Sequence, residues 1–286
     1  METFSSKDAM RDHVRALKRQ GKTVGCVLTM GFLHDGHLAL VRECARHVDA
    51  VVASIFVNPT QFGEAADLAS YPTDIDGDLA KFAAVGVNAV FLPTAAEMYP
   101  EGADSIVSVP GLSGILQGKV RPGHFQGVTT VVSKLFHILE PDVTVFGEKD
   151  YQQLAIIRQM VRDMAMPIRV IGLPTVREID GLAMSSRNVR LTPEDRAAAV
   201  VLSTALDRAE AHESDPLTAE EFRVLVRETI AREPRADIRA IDIRDAVDLS
   251  PYYGPLTRPA VILLSVRFGD VLLIDNRVIG PRKHEI

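Results

Sequence analysis

Apolar residues in the first 175 positions follow two alternating patterns. Short, nearly continuous apolar runs predict buried strands at 23–29, 50–57, 88–92, 142–147 and 168–173. Apolar residues spaced three or four apart predict helices at 6–21, 75–85, 128–139 and 154–164, and a polar stretch predicts a loop at 60–73. Strands that alternate with helices build a parallel sheet. We therefore predict an α/β fold, a Rossmann-like mostly parallel sheet with helices on both faces, over residues 1–175.

The regular alternation of predicted strands and helices ends after about Thr175. The predicted elements are then a polar loop at 177–190, helices at 192–212 and 222–230, and strands at 238–243, 260–268 and 271–274. A tight turn at Gly269 and Asp270 would join the last two strands. We expect residues 176–286 to form a second, smaller α+β domain.

Composition and charge narrow the class of protein. The chain has 286 residues and a net charge of −6, so it has no general attraction for nucleic acid or an anionic membrane. No apolar run approaches the roughly 20 residues that span a bilayer, and the N-terminus lacks a signal-peptide core. The two cysteines, Cys26 and Cys44, have no metal-type spacing and are expected to be buried, reduced thiols. We expect a cytoplasmic protein.

The segment 29–37, Thr-Met-Gly-Phe-Leu-His-Asp-Gly-His, is the most informative in the chain. It follows a predicted strand and begins a helix, so His34 and His37 can face the same side of the helix start. A helix N-terminus offers free backbone N–H groups and a positive dipole end, which favour phosphate, and Gly36 suits a close backbone approach. This predicts a nucleoside triphosphate site. The alternatives are a metal-binding pair or structural histidines.

A second cluster lies at 146–153, at another predicted strand-to-helix turn. Parallel strands place such turns along one edge of the sheet. Lys149 offers a positive charge to a phosphate, Asp150 can accept from a ribose hydroxyl, and Gln153 can share a face with Lys149. The alternative is a solvated helix start with a local Lys–Asp pair.

Three further segments carry donors suited to an anionic substrate. In 182–188, two serine hydroxyls, backbone N–H groups and Arg187 can hold a triphosphate, and the loop could close to exclude water. The glycine-rich, basic segment 118–127 could form a rim of the pocket, and the amides of Asn58 and Gln61 could bind a carboxylate or hydroxyl. Ordinary exposed turns are the alternative for each. The sequence suggests neither a Ser/His/Asp triad nor a metal cage.

Taken together, five motifs are far more specific than any one of them. They are 29–37, 56–62 (Phe-Val-Asn-Pro-Thr-Gln-Phe), 121–125 (Arg-Pro-Gly-His-Phe), 146–154 (Phe-Gly-Glu-Lys-Asp-Tyr-Gln-Gln-Leu) and 184–188 (Met-Ser-Ser-Arg-Asn). In this order they closely resemble the pantoate–β-alanine ligase family of the nucleotidylyltransferase superfamily. The resemblance extends to the terminal Leu-Ile-Asp-Asn at 273–276. One departure is Leu28, where the family usually has proline.

The resemblance implies a two-step reaction. Pantoate attacks the α-phosphate of ATP to give pyrophosphate and a non-covalently bound pantoyl adenylate, and β-alanine then displaces AMP to give pantothenate. It also implies Mg²⁺ held mostly by the ATP phosphates, a homodimer, and a C-terminal domain that closes over the ATP site, with nucleotide and pantoate bound by residues 1–175. The rivals are a nucleotidylyltransferase that retains its adenylylated product, and a non-catalytic nucleotide- or RNA-binding protein.

The resemblance also assigns site residues by position. The implied ATP contacts are Met30, Gly31, Phe32, Leu33, His34, Asp35, Gly36, His37, Gly147, Glu148, Lys149, Asp150, Val176, Met184, Ser185, Ser186 and Arg187. The implied pantoate and β-alanine residues are Gln61, Gln153, Asn58, Arg121 and His124. The implied catalytic groups are His37, which the family uses as proton donor, with His34, Lys149 and Arg187.

Overall fold

A computed structural model describes residues 1–63, 68–69 and 71–281, and the chain divides into two compact units. The first comprises Met1–Gly147 and Gln152–Leu173; the second comprises Glu148–Tyr151 and the chain from Pro174 onward. The loop predicted at 60–73 lies partly outside the described residues. Within the described residues, no helix has both the length and the apolar character needed to cross a membrane.

A six-stranded parallel sheet forms the centre of the first unit, with strand order β1-β4-β3-β2-β5-β6. The strands are β1 (Glu2–Phe4), β2 (Val24–Thr29), β3 (Ala50–Ile55), β4 (Ala89–Phe91), β5 (Val143–Gly147) and β6 (Arg169–Leu173). Every residue of β3 is buried, as a strand covered on both faces requires. The predicted α/β class is confirmed.

Helices cover both faces of this sheet. They are α1 (Lys7–Arg19), α2 (Asp35–Ala45), α3 (Ile75–Ala84), α4 (Ala95–Met98), α5 (Pro110–Ser113), α6 (Gln117–Val120), α7 (His124–Leu139) and α8 (Tyr151–Asp163). Successive residues of a strand point to opposite faces. Accordingly, Cys26 of β2 packs in one apolar cluster with residues of α1, α7 and α8, whereas Val27 packs in another with residues of α2 and α3.

The hydrophobic periodicity of the sequence did not predict the shortest strand and the shortest helices. Strand β1 has three residues and is held mainly by pairing with β4 at the edge of the sheet, so it leaves no apolar run to detect. Helices α4, α5 and α6 have four residues each, about one turn, which is too short to show a repeat. The segment 118–127, expected to precede a helix and to form a rim of the pocket, is itself partly helical: it contains the end of α6 and the start of α7.

The second unit has an antiparallel sheet of β7 (Asp237–Asp245), β8 (Ala260–Phe268) and β9 (Val271–Ile279). Its helices are α9 (Pro193–Ala198), α10 (Val201–Ala211) and α11 (Ala219–Ile230). Phe222, Leu206 and Ile262 belong to the core cluster between these helices and the sheet. Gly269, with φ of 54°, forms the predicted turn between β8 and β9.

One helix prediction was wrong. The segment 192–212 forms two helices, because the backbone N–H groups of Val200 and Leu202 bond to carbonyls three residues back, at Ala197 and Ala199. These tighter bonds interrupt the regular four-residue ladder. The last strand also continues to Ile279, beyond the predicted end at 274.

Candidate active site

The turn between β2 and α2 has an unusual backbone. Gly31 has φ of 87° and Phe32 has φ of 53°, both in the left-handed region. A Cβ atom on Gly31 would lie 3.0 Å from both the Asp78 carboxylate and the Ile55 side chain. Glycine is thus required at position 31 for both its backbone angle and its lack of a side chain.

A buried carboxylate from α3 holds this turn. Asp78 is fully buried and accepts hydrogen bonds of 2.7 Å from the backbone N–H groups of both Phe32 and Leu33. The Lys81 ammonium donates to the Leu33 carbonyl at 2.8 Å and lies 3.9 Å from the Asp78 carboxylate. Sequence reasoning missed both residues, since an acidic residue in the first turn of a helix is ordinarily explained by the helix dipole.

His34 and His37 lie side by side at the start of α2, with ring centroids 4.1 Å apart. His34 is the N-cap residue, and its backbone N–H donates to Nδ1 of His37 at 3.3 Å. A neutral imidazole that accepts through Nδ1 carries its proton on Nε2. His37 therefore places an Nε2–H donor at a helix N-terminus, where an anion is favoured.

Among the residues the structure describes, no group of three or more His, Cys, Asp or Glu side chains could hold a metal ion.

The amides predicted to bind a small substrate form one network after β3. Asn58, which is 1% exposed, donates to the side-chain oxygen of Gln61 and to the Gly127 carbonyl, both at 3.2 Å. The amide nitrogen of Gln61 lies 2.8 Å from the Met30 sulfur. The structure thus brings the predicted residues of 30–37 and 56–62 together.

Helix α7 approaches this network closely. The His124 ring donates through Nδ1 to the Gln61 carbonyl at 2.8 Å. A Cβ atom on Gly127 would lie 2.5 Å from the Thr60 carbonyl oxygen, so only glycine permits this approach. Arg121 lies at the C-cap of α6, just before α7. His124 therefore contacts the backbone of Gln61, and its contact with substrate stays a prediction.

Tyr99 belongs to the same network, although no motif pointed to it. Its hydroxyl donates to the Asn58 side-chain oxygen at 2.8 Å, and the Lys134 ammonium lies 5.1 Å from its ring centroid. Burial raises the pKa of Tyr99, with a smaller opposing effect from its hydrogen bond with Thr60. The hydroxyl consequently stays protonated and acts as a donor that orients Asn58.

Two adjacent glutamines in α8 have different environments. Gln152 is 6% exposed and donates to the carbonyls of Leu112 and Ile115 at 2.8 and 2.9 Å. Its oxygen accepts from the Gln117 backbone N–H at 3.1 Å, so it anchors the segment that connects α5 and α6. Gln153, the predicted substrate residue, is half-buried. Sequence reasoning missed the anchoring role of Gln152.

In the second unit, Lys149 lies near the predicted loop at 177–190, here called the Ser-Ser-Arg loop. A short 3₁₀ turn, Glu148–Asp150, carries Lys149, and a small cavity is lined by Lys149, Ser185, Asn188 and Asp275. Within the described parts of the chain, the Lys149 ammonium makes no ion pair. The alternative of a local Lys149–Asp150 pair is therefore not what the structure has.

The predicted loop 177–190 is internally bonded. The backbone N–H of Met184 donates to the Val176 carbonyl at 2.9 Å, and Arg177 pairs with Ala183 as an isolated bridge. The Asn188 amide donates to the Ala183 carbonyl at 3.1 Å, and the backbone N–H of Arg187 donates to the Ser185 hydroxyl at 3.2 Å. The turn of this narrow hairpin lies at 178–181, and Ser185 and Arg187 follow its second arm.

A parallel α/β sheet with a histidine pair at the N-terminus of a helix that follows a central strand is an arrangement suited to binding a phosphate group. The chain belongs to the pantoate–β-alanine ligase family, whose model, described as Pantoate-beta-alanine ligase, matches residues 2–278. The match covers three parts of the candidate site. They are the turn at 30–37 that carries His34 and His37 (the histidine turn), the amide network of Asn58 and Gln61, and the Ser-Ser-Arg loop.

Comparison with individual proteins agrees with this family. The chain is 50% identical to the pantothenate synthetase of Rhizobium etli over 284 residues, covering 99% of this chain and 95% of that protein. It is similar to the crystal structure of pantothenate synthetase from Thermus thermophilus, with a TM-score of 0.92, 43% identity and coverage of 98% and 100%. It is also similar to the pantoate-beta-alanine ligase from Francisella tularensis complexed with beta-gamma ATP and beta-alanine, with a TM-score of 0.79, 33% identity and coverage of 97% of both chains.

Proposed function

We propose that the protein condenses (R)-pantoate with β-alanine to give pantothenate, with ATP converted to AMP and pyrophosphate. This is the last step of pantothenate biosynthesis. Family membership supports the reaction, and one observation carries the mechanism: His37 accepts from the His34 backbone through Nδ1, so its proton lies on Nε2, at a helix N-terminus. That N–H, at the positive end of the helix dipole, suits a phosphate of ATP.

In the first step, a carboxylate oxygen of pantoate attacks the α-phosphorus of ATP. The bond from that phosphorus to the oxygen bridging the β-phosphate breaks, and pyrophosphate leaves. Both reactants are anions, so their charge must be neutralised before they meet. The donor on His37 stabilises the charge that grows on the leaving oxygen, which lowers the barrier more than it strengthens ground-state binding.

In the second step, the amine of β-alanine attacks the acyl carbon of the adenylate. AMP leaves with the bonding electrons, and the nitrogen loses a proton. Gln61, oriented by Asn58 and Tyr99, is the proposed contact for pantoate and for the region where β-alanine enters. Holding the reactants in alignment supplies a large part of the rate enhancement.

Family membership supports further nucleotide contacts in this proposal. Lys149 and Arg187 provide positive charge for phosphate oxygens, Ser185 and Ser186 provide hydroxyl donors, and Asp150 accepts from a ribose hydroxyl. Val176 contacts the adenine. Mg²⁺ bound to ATP would neutralise part of the charge on the phosphates. A homodimer stays a prediction from the family resemblance, and a cytoplasmic location stays a prediction from the composition of the sequence.

ATP–pyrophosphate exchange, measured with and without pantoate, tests this function. We expect exchange only with pantoate, and AMP release only after β-alanine is added. Exchange with a different carboxylate or alcohol instead of pantoate would favour a nucleotidylyltransferase that retains its adenylylated product. No exchange with ATP, Mg²⁺ and both substrates would favour a non-catalytic nucleotide-binding protein.

A further inference from the structure

Two neighbouring polar residues interrupt the apolar pattern of β9. Asp275 is 2% exposed and Asn276 is 6% exposed, so both are removed from water. Neighbouring residues on a strand point to opposite faces, which lets the two side chains serve different parts of the unit. Buried polar groups are costly unless their hydrogen bonds are satisfied, so their partners indicate what they do.

Asn276 holds the backbone on either side of the Lys149 Cα atom. Its side-chain nitrogen donates to the carbonyl oxygens of Glu148 and Lys149, both at 2.9 Å. A side-chain amide has two N–H donors, and both are used here on one turn. These two hydrogen bonds fix the backbone from which the Lys149 side chain extends.

Asp275 holds the start of the Ser-Ser-Arg loop. Its two oxygens accept from the Arg177 guanidinium at 2.7 and 3.0 Å, and Arg177 also donates to the Gly181 carbonyl at 3.0 Å. One Asp275 oxygen accepts from the Asn276 backbone N–H at 2.8 Å. Asp275 also lines the cavity that Lys149 and Ser185 share.

We propose that Asn276 and Asp275 are positioning residues for the nucleotide site, Asn276 by fixing the Lys149 turn and Asp275 by fixing the loop through Arg177. A buried ion pair adds little stability over apolar residues of similar size, which argues for a positional role. The inference rests on the proposed function, because it presupposes that Lys149 and the loop contact ATP.

The test for Asn276 compares four variants by pantoate-dependent ATP–pyrophosphate exchange: Asn276→Ala, Asn276→Asp, Lys149→Ala and the double variant Asn276→Ala with Lys149→Ala. Asn276→Asp has nearly the same shape but presents acceptors to two carbonyls. We expect both Asn276 single variants to lose about ten- to a hundredfold in kcat, the range that misplacement of a catalytic group produces. The KM for pantoate should change less than about twofold, and Asn276→Ala should add almost nothing in the Lys149→Ala background.

Arg277→Ala is the matched control. Arg277 is the next residue on β9, and its guanidinium pairs with Asp207 and Glu210. We expect its exchange rate to match the unsubstituted protein. Losses that multiply in the double variant would mean that Asn276 acts on the fold in general and would overturn the inference. If the unsubstituted protein shows no pantoate-dependent exchange, the proposed function fails instead.

Arg177→Lys tests the loop separately and does not depend on the folding of the Asn276 variants. It keeps a positive charge opposite Asp275 but loses the two-point geometry. We expect the KM for ATP to rise at least about fivefold, with the KM for pantoate unchanged, because about 1 kcal/mol of nucleotide binding corresponds to that factor. Equal changes in both KM values, or none in either, would overturn the role assigned to Asp275.

Discussion

The buried carboxylate of Asp78 accepts a 2.7 Å hydrogen bond from the backbone N–H of Phe32, a residue whose φ is 53°. A non-glycine residue in the left-handed region needs support from its surroundings. Here the support comes from a residue 46 positions away in the chain. The path of the histidine turn is therefore set in part by α3.

Asp78→Asn tests this support. The amide keeps one acceptor but turns an N–H donor toward a backbone N–H, which leaves that group unsatisfied. We expect a loss of about 1–3 kcal/mol in the free energy of unfolding. Exchange activity should fall at least about tenfold through displacement of the histidines. Denaturant titration and ATP–pyrophosphate exchange measure the two effects. Asp76→Asn, an exposed position on the same helix, should change neither; an active, fully stable Asp78→Asn protein would contradict the prediction.

Tyr99→Phe tests the amide network. The substitution removes only the hydroxyl that donates to Asn58, so we expect a loss of about 1 kcal/mol in stability. Because the Asn58 and Gln61 amides would be less well oriented, the KM for pantoate should rise about fivefold. Steady-state kinetics with varied pantoate measures this. Tyr253→Phe, at a side chain that is 82% exposed, is the control. An unchanged KM for pantoate would show that Tyr99 does not orient the proposed substrate amides.

Lys149→Ala should leave the protein folded and slow adenylate formation. Its ammonium makes no ion pair among the residues the structure describes, so its removal should change the free energy of unfolding by less than about 0.5 kcal/mol. Loss of a well-placed donor should lower the single-turnover rate about a hundredfold or more. Lys22→Ala, on an exposed loop, should behave like the unsubstituted protein. A near-normal rate would remove Lys149 from the proposed mechanism.

Arg187→Ala should weaken the binding of ATP more than the binding of AMP. The guanidinium is proposed to contact the outer phosphates, which AMP lacks, and a lost charged hydrogen bond costs about 1.5–3 kcal/mol. Isothermal titration calorimetry with each nucleotide gives the two affinities. Arg190→Ala, an exposed arginine in the same loop, serves as the control. Equal losses for ATP and AMP would contradict the assignment.

The thiol of Cys44 should make stability fall at alkaline pH. Burial, with a smaller effect from the Glu43 charge, raises the pKa of Cys44 to about 12, whereas an unfolded thiol has a pKa of about 8.5. The folded state thus retains a proton that the unfolded state loses. This contribution is complete below the unfolded pKa and is lost as the pH rises toward the folded pKa.

Denaturant titration from pH 8 to pH 11 measures this effect. We expect the free energy of unfolding to fall about 1.4 kcal/mol per pH unit more steeply in the unsubstituted protein than in Cys44→Ala above roughly pH 9. The alanine variant will be less stable at every pH because it leaves a small cavity, so the slope is the informative quantity. Parallel curves would mean that the Cys44 thiol ionises equally in both states.

The sequence by itself determined the α/β class, every strand except β1, the histidine turn and the family. These depend on local periodicity and on motifs whose residues are close in the chain, as in the pair His34 and His37. The tertiary structure alone decided the break at Val200 and the pairings of Asp78 with Phe32, Tyr99 with Asn58, and Asn276 with Lys149. The last two residues are 127 positions apart. Hydrogen-bond partners this far apart in the chain are decided by how the helices and strands pack. The pattern of apolar and polar residues in the sequence does not predict which distant backbone group a buried side chain will contact.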